Sequence, residues 1–274
     1  WLRGYGDWSK RDSESSTTLF NQTVTHDLSY RQDIWGIQGG FDQVSRNVDS
    51  RGGLVMFGLT AGYVRSDLEF DARDSEARFS GFNLGGYMTY VTGRFFADVL
   101  VKADLLKLDY DSGIAGIVRD DADVRNYGVR LDTGYRIGNR GFFIDPQATL
   151  EYVYTEMDEL VVPGTTVVSQ GRSLWGRLGA RAGTTIDMGG IRLEPSIMPS
   201  VWHLLDGDND VRFFSGAETA RLTDDRHRTY GEVSGILNMF GTGASNLSGF
   251  VKADYRFGTN MSGYGVRAGL RLGF

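Results

Sequence analysis

The stretch Ser262–Phe274, SGYGVRAGLRLGF, decides how the chain is read. From Tyr264 it alternates without a break. Tyr264, Val266, Ala268, Leu270, Leu272 and Phe274 form one phase, and Gly265, Arg267, Gly269, Arg271 and Gly273 form the other. A period of two puts the first set on one face of a β-strand and the second on the opposite face. The run has the length of a strand crossing a bilayer at a tilt, about 9–11 residues. It also closes the sequence, as expected of a barrel that seals its last strand against its first. An edge strand of a soluble sandwich would alternate in the same way, so the remaining residues have to decide.

Working outward, the same pattern recurs along the chain. Leu2, Gly4, Gly6 and Trp8 oppose Trp1, Arg3, Tyr5, Asp7 and Ser9, and Trp35, Ile37, Gly39 and Phe41 oppose Gln38, Gly40 and Asp42. Val55, Phe57, Leu59, Ala61 and Tyr63 share a face, as do Phe82, Leu84, Gly86, Met88 and Tyr90. Phe95–Leu105 alternates against Asp98, Lys102 and Asp104, and Tyr127–Tyr135 against Asn126, Arg130, Asp132 and Arg136. Ile144–Tyr152 opposes Asp145, Gln147, Thr149 and Glu151, and Leu174–Ala182 opposes Arg177 and Arg181. Leu193, Pro195, Ile197 and Val201 oppose Arg192, Glu194, Ser196, Ser200 and Trp202. Val233, Leu237 and Met239 oppose Tyr230, Glu232, Ser234 and Asn238, and Leu247–Tyr255 opposes Lys252, Asp254 and Arg256. Twelve strands result, an even number, with no helical period between them. The polar stretches through His26, 67–76, 109–123 and 205–228 read as loops.

The totals agree with an all-β chain. Gly 38 against Pro 4, with 12% aromatic residues, suits tight turns and bulky interfacial side chains. No apolar run is long enough for a transmembrane helix, which needs about 18 residues or more. The mean hydropathy of −0.28 does not exclude a membrane barrel, whose lumen-facing residues are polar. Cys 0 removes disulfides and thiolate metal sites. A net charge of −6 argues against nucleic acid as a partner. The opening Trp1-Leu2-Arg3 is not a signal peptide, so a mature fragment of something longer is expected.

Three features separate a membrane barrel from a soluble sheet. The apolar phase carries no charge in the spanning portions, and Arg or Lys at the bilayer midplane costs about 2–4 kcal/mol. That phase ends in aromatics on both sides. Trp8, Trp35, Tyr63, Tyr127, Tyr152, Tyr255 and Tyr264 form one belt, and Phe41, Tyr90, Phe95, Tyr135 and Phe274 the other. Long polar connections also alternate with short glycine-rich turns, as extracellular loops do with periplasmic turns. The expectation is one antiparallel transmembrane β-barrel of twelve strands over residues 1–274.

The opening WLRGYG, IWGIQGGFD of the second strand, LTAGYVRSD of the third and the closing YGVRAGLRLGF resemble the autotransporter β-domain, the C-terminal translocator of type V secretion in Gram-negative outer membranes. The resemblance covers essentially the whole chain. It implies a barrel that anchors an N-terminal passenger and assists its export, joined to it by a linker helix threading the pore. It departs from the family in starting at the first strand, without that helix or a passenger. It implies that Tyr264, Val266, Leu270, Leu272 and Phe274 signal to the barrel assembly machinery. It also implies that Asp98, Lys102, Arg130, Asp145, Glu151, Arg177, Arg181, Glu194, Arg267 and Arg271 form a polar lumen lining that contacts the linker. A monomer embedded in outer-membrane lipid is expected, with long loops outside and both chain ends periplasmic.

Other chemistry fits less well. His26, His203 and His227 fall in or near polar loops, and His203 or His227 with Asp206, Asp208 or Asp210 would make a rim hydrolase. So many Asp residues usually make a solvated loop, and no acidic residue follows at EF-hand spacing for Ca²⁺. Some members of the family cleave their own passenger with lumen carboxylates. Asp98, Asp145, Glu151 and Glu194 are such groups, but pairing with Arg130, Arg177, Arg181 and Arg267 explains them more simply. An open diffusion pore for small solutes is the remaining alternative. Nothing in the chain asks for a cofactor or suggests an enzyme.

Overall fold

The computed structural model describes residues 1–12, 14–19, 22–27, 29–71, 75–112, 117–139, 141–158, 160–162, 165–215, 218–223, 228–242 and 246–273. Among these there is no helix. Twelve long strands carry the fold: β1 (Leu2–Arg11), β2 (Tyr30–Arg46), β3 (Leu54–Phe70), β4 (Ser75–Thr92), β5 (Phe95–Ser112) and β6 (Ile117–Tyr135) in the first half. The second half adds β7 (Phe143–Met157), β8 (Thr165–Gly183), β9 (Ile191–Ser215), β10 (Thr229–Gly241), β11 (Leu247–Gly258) and β12 (Met261–Leu272). Each is hydrogen-bonded antiparallel to the next, and β1 closes the ring on β12 with Leu2 opposite Leu270 and Trp8 opposite Tyr264. Closure leaves no unpaired sheet edge.

The turns show why the chain reverses where it does. At Met188–Ile191 both central residues, Gly189 and Gly190, have positive φ (43° and 112°), the backbone a two-residue hairpin needs. In the 47–53 turn the Asp49 carboxylate accepts N–H bonds from Arg51 (2.8 Å) and Gly53 (2.7 Å) and a hydroxyl bond from Tyr90. The Tyr90 bond first, and then the Gly53 amide, hold its pKa down to about 2.

The outer wall is apolar. Leu59 and Phe41, each 73% exposed, stand among a continuous belt of exposed Leu, Val, Phe and Ile. Water would not tolerate so large a patch, whereas lipid requires it. Above the belt aromatic rings meet across strands: Trp8 stacks on Tyr264 with centroids 5.2 Å apart, and Tyr63 sits between Trp35 (5.9 Å) and Phe82 (5.6 Å). Inside, the wall is polar, with Asn83, Thr149, Asp145 and Ser234 fully enclosed. Lumen glycines make room for flat rings. A Cβ on Gly58 would collide with the Tyr87 ring, and one on Gly36 with Tyr5.

The stretches expected as loops are largely strand instead. β3 runs on to Phe70, β5 to Ser112 and β9 to Ser215, Glu218–Thr223 pairs with β9, and Glu14–Leu19 forms a hairpin with Gln22–Asp27. The physical reason is that alternation continues past the aromatic belt with its sense reversed. Outward positions become charged: Asp67 binds Arg65 (2.9 Å) and Arg78 (2.7 Å), and Asp123 binds Lys107 (2.8 Å). Inward positions become apolar, with Ala77, Leu108, Ala122 and Val124 buried against Leu68, Phe79, Leu106, Tyr110 and Met157. A strand leaving lipid for water must turn its charged face outward, so this reversal marks where the wall leaves the membrane.

Candidate functional site: the charged lumen

Because β6 to β12 face the lumen with every second residue, inward charges from neighbouring strands meet side by side. Arg130 bonds Asp132 on its own strand (2.6 Å) and Glu151 on β7 (3.1 Å). Thr149 donates its hydroxyl to Asp132 at 2.5 Å and accepts from the Arg177 Nε at 3.0 Å. Arg177 also approaches Asp132 (3.3 Å) and Glu232 (4.0 Å). The Arg130 and Arg177 guanidiniums lie 5.9 and 5.3 Å from the Trp202 ring, which stacks on Tyr230 at 5.9 Å. This arrangement distributes each buried charge over several partners.

A second cluster centres on Asp145. It accepts from Arg136 (3.1 Å) and Arg181 (2.5 Å), Arg136 reaches Glu194 (3.4 Å), and both guanidiniums flank the Phe143 ring. A third lies at the closing seam, where Gly265 separates Asp7 on β1 from Asp254 on β11. Arg256 contacts Asp7 at 2.6 Å, and Lys252, Arg256 and Arg267 surround Asp254 at 3.6, 3.8 and 3.9 Å. These last contacts are ion pairs without aligned hydrogen bonds, and both Asp254 oxygens lack a donor. Elsewhere the Trp1 indole donates to the Tyr87 hydroxyl (2.7 Å), Tyr87 donates to Asp42 (2.6 Å), and Asp42 also receives Arg271.

All ten residues expected to line the lumen stand on the inward phase, but their partners differ from a simple pairing. Arg130 meets Glu151 and Arg181 meets Asp145, whereas Arg177 meets Asp132, Arg267 meets Asp254 at 3.9 Å, and Lys102 meets Asp104 at 2.6 Å. Asp98 accepts from the Thr89 hydroxyl rather than from a cation. Tyr264, Val266, Leu270 and Leu272 face outward on β12, and Phe274 lies outside the described residues. Asp132, Glu232, Asp254, Lys252, Arg256 and Trp202 prove as central as the residues singled out. Their inward phase was legible, but the strand register that brings them together was not.

The rim histidines are not brought into a catalytic arrangement among the described side chains. His203 Nδ1 is 2.7 Å from the Thr229 hydroxyl, and Asp206 is paired with Arg172 at 3.8 Å. His227 and the side chains of His26, Asp208 and Asp210 lie outside the described residues. No group of three or more His, Cys, Asp or Glu that could hold a metal occurs among the described residues.

A closed antiparallel barrel with an apolar outer wall, aromatic belts and a charged lumen defines an outer-membrane β-barrel protein. Within that class the family is specific: the autotransporter β-domain model matches residues 1–254, and the chain belongs to this family. The β-domain of the Bordetella autotransporter BrkA is similar in structure, with a TM-score of 0.71 at 19% identity over 98% of this chain and 99% of that one. The transport unit of AIDA-I from Escherichia coli gives 0.76 at 16% identity over 100% and 90%. The translocator domain of NalP from Neisseria meningitidis gives 0.62 at 11% over 100% and 88%. No curated protein matches the sequence. The chain is an outer-membrane translocator domain of the autotransporter type.

Proposed function

We propose that the barrel anchors an N-terminal passenger in the outer membrane and that its lumen takes the linker helix joining the two. The observation that carries this is the rim shared by the ends of the barrel. β1 begins opposite Leu270, where β12 finishes, so a segment upstream of Trp1 would reach the far rim through the lumen. The lumen suits a polypeptide better than free solute, since Arg130, Asp145, Glu151, Arg177 and Glu194 crowd it with directional hydrogen-bonding groups. In this orientation the long strand extensions lie outside the cell and the short turns face the periplasm. Tyr264, Val266, Leu270, Leu272 and Phe274 serve the assembly machinery from the outward face of β12. The closed ring supports a monomer, residues 1–274 form one domain, and the proposal assigns the barrel no catalytic step.

Single-channel recording of the refolded barrel, with and without the natural upstream segment, tests this. Conductance that the upstream segment closes is the expected result. Large, steady conductance in both forms would favour a solute channel and remove the threaded-helix proposal.

A further inference from the structure

The lumen presents its charges unevenly. Carboxylates are pressed into the wall, with Asp254 at 0%, Asp145 at 3% and Glu232 at 6% side-chain exposure. Several guanidiniums remain open: Arg267 at 42%, Arg136 at 38% and Arg271 at 37%. Glu151, also open, carries Arg130 at 3.1 Å. The side chains that a lumen occupant can touch are therefore weighted towards arginine.

The weighting is concentrated at the closing seam. Arg3 on β1 stands opposite Gly269 of β12, and Arg267 and Arg271 flank that glycine two residues to either side. All three share the lumen face, so each of the flanking arginines is a diagonal cross-strand neighbour of Arg3, about 7–8 Å away. The triangle is short of counter-charge. Among the described residues Arg271 pairs with Asp42, and Arg267 pairs with Asp254 alone, at 3.9 Å. Arg3 is bonded to the neutral Gln38 amide, and its Nε is buried without a hydrogen-bond partner. Like charges set diagonally on one wall of a partly enclosed lumen repel, and an anion held between them removes that repulsion.

We infer that this arginine triangle is the seat for carboxylate side chains of an acidic helical segment, so that the segment occupying the lumen carries Asp or Glu on the face turned to the β1–β12 seam. This rests on the proposed threading of the lumen. Guanidinium forks bind carboxylates bidentately, which gives register as well as affinity. The whole chain carries a net charge of −6, so bulk electrostatics would repel an acidic peptide, and any preference for one has to arise locally.

The test is equilibrium binding of two fluorescent helical peptides of about 20 residues, the length that spans about 30 Å, to the refolded barrel in zwitterionic micelles. One carries Glu along one face and the other carries Lys at the same positions. The acidic peptide is expected to bind at least about ten-fold more tightly, with the advantage shrinking as salt rises. The double variant R3Q/R267Q, confirmed as folded by its heat-modifiable migration, is expected to lose that advantage. Equal or reversed preference, no binding of either peptide, or an advantage that persists in R3Q/R267Q overturns the inference. Failure of the natural upstream segment to close the conductance, with the acidic preference intact, would instead count against the threaded helix alone.

Discussion

Replacing Arg177 by Met removes the most enclosed cation of the lumen while keeping a long side chain over Trp202. Arg177 is 6% exposed, donates to Thr149 at 3.0 Å, lies 3.3 Å from Asp132 and 4.0 Å from Glu232, and covers the Trp202 ring at 5.3 Å. Breaking a buried ion pair from one side costs about 3–5 kcal/mol when the partner is stranded. Here neither carboxylate is stranded, because Asp132 keeps Arg130 at 2.6 Å and Glu232 keeps Lys252 at 3.7 Å. The charged hydrogen bond is worth about 1.5–3 kcal/mol and the desolvated cation–π contact about 1–2 kcal/mol, partly offset by the apolar burial of Met. The expected net loss is about 3 kcal/mol, read as a lower urea midpoint of the folded barrel in liposomes with unchanged slope. In a double-mutant cycle with Glu232→Gln the coupling should stay below about 1 kcal/mol, because the pair stands at the limit of ion-pair distance. A loss under about 1 kcal/mol for Arg177→Met alone would refute the reasoning, since it would mean that lumen water already satisfies these groups.

Gly58→Val should force Tyr87 off its bonds to Asp42 and Trp1, lowering the urea midpoint by about 2–4 kcal/mol of stability; a neutral result would show that the ring moves freely. Leu59→Arg, on the lipid face, should cost about 2–4 kcal/mol, whereas Glu69→Arg, beyond the aromatic belt, should stay within about 0.5 kcal/mol. Equal costs would place the membrane boundary elsewhere. Asp49 has a folded-state pKa of about 2 against 3.8 unperturbed, so its stabilisation of the 47–53 turn is complete above about pH 4 and is lost as pH falls through about 2. Limited proteolysis of that turn from about pH 5 down to about pH 2 should show protection falling in the wild type, while Asp49→Ala should already be cleaved readily at about pH 5.

Much of this protein is legible without coordinates because a membrane barrel obeys one simple constraint. Alternation from Tyr264 to Phe274, and in eleven earlier stretches, assigns almost every spanning residue to lipid or lumen, since a strand has a period of two and lipid excludes charge. The strand extensions were missed for the same reason. Asp67, Glu69 and Asp123 look like loop residues only if the apolar phase must point outward, and beyond the membrane it points inward.

What only the tertiary structure decided is which inward charges touch. Arg177 and Glu232 are 55 positions apart in sequence and sit on different strands, and their contact depends on the relative shift of β8, β9 and β10. Arg3 and Arg267 become neighbours only when the first strand closes on the last. The period of a strand is local and written in adjacent residues, so the sequence alone determines which face each side chain takes. Register and closure are set by the whole ring of pairings at once, and those decide the chemistry of the lumen.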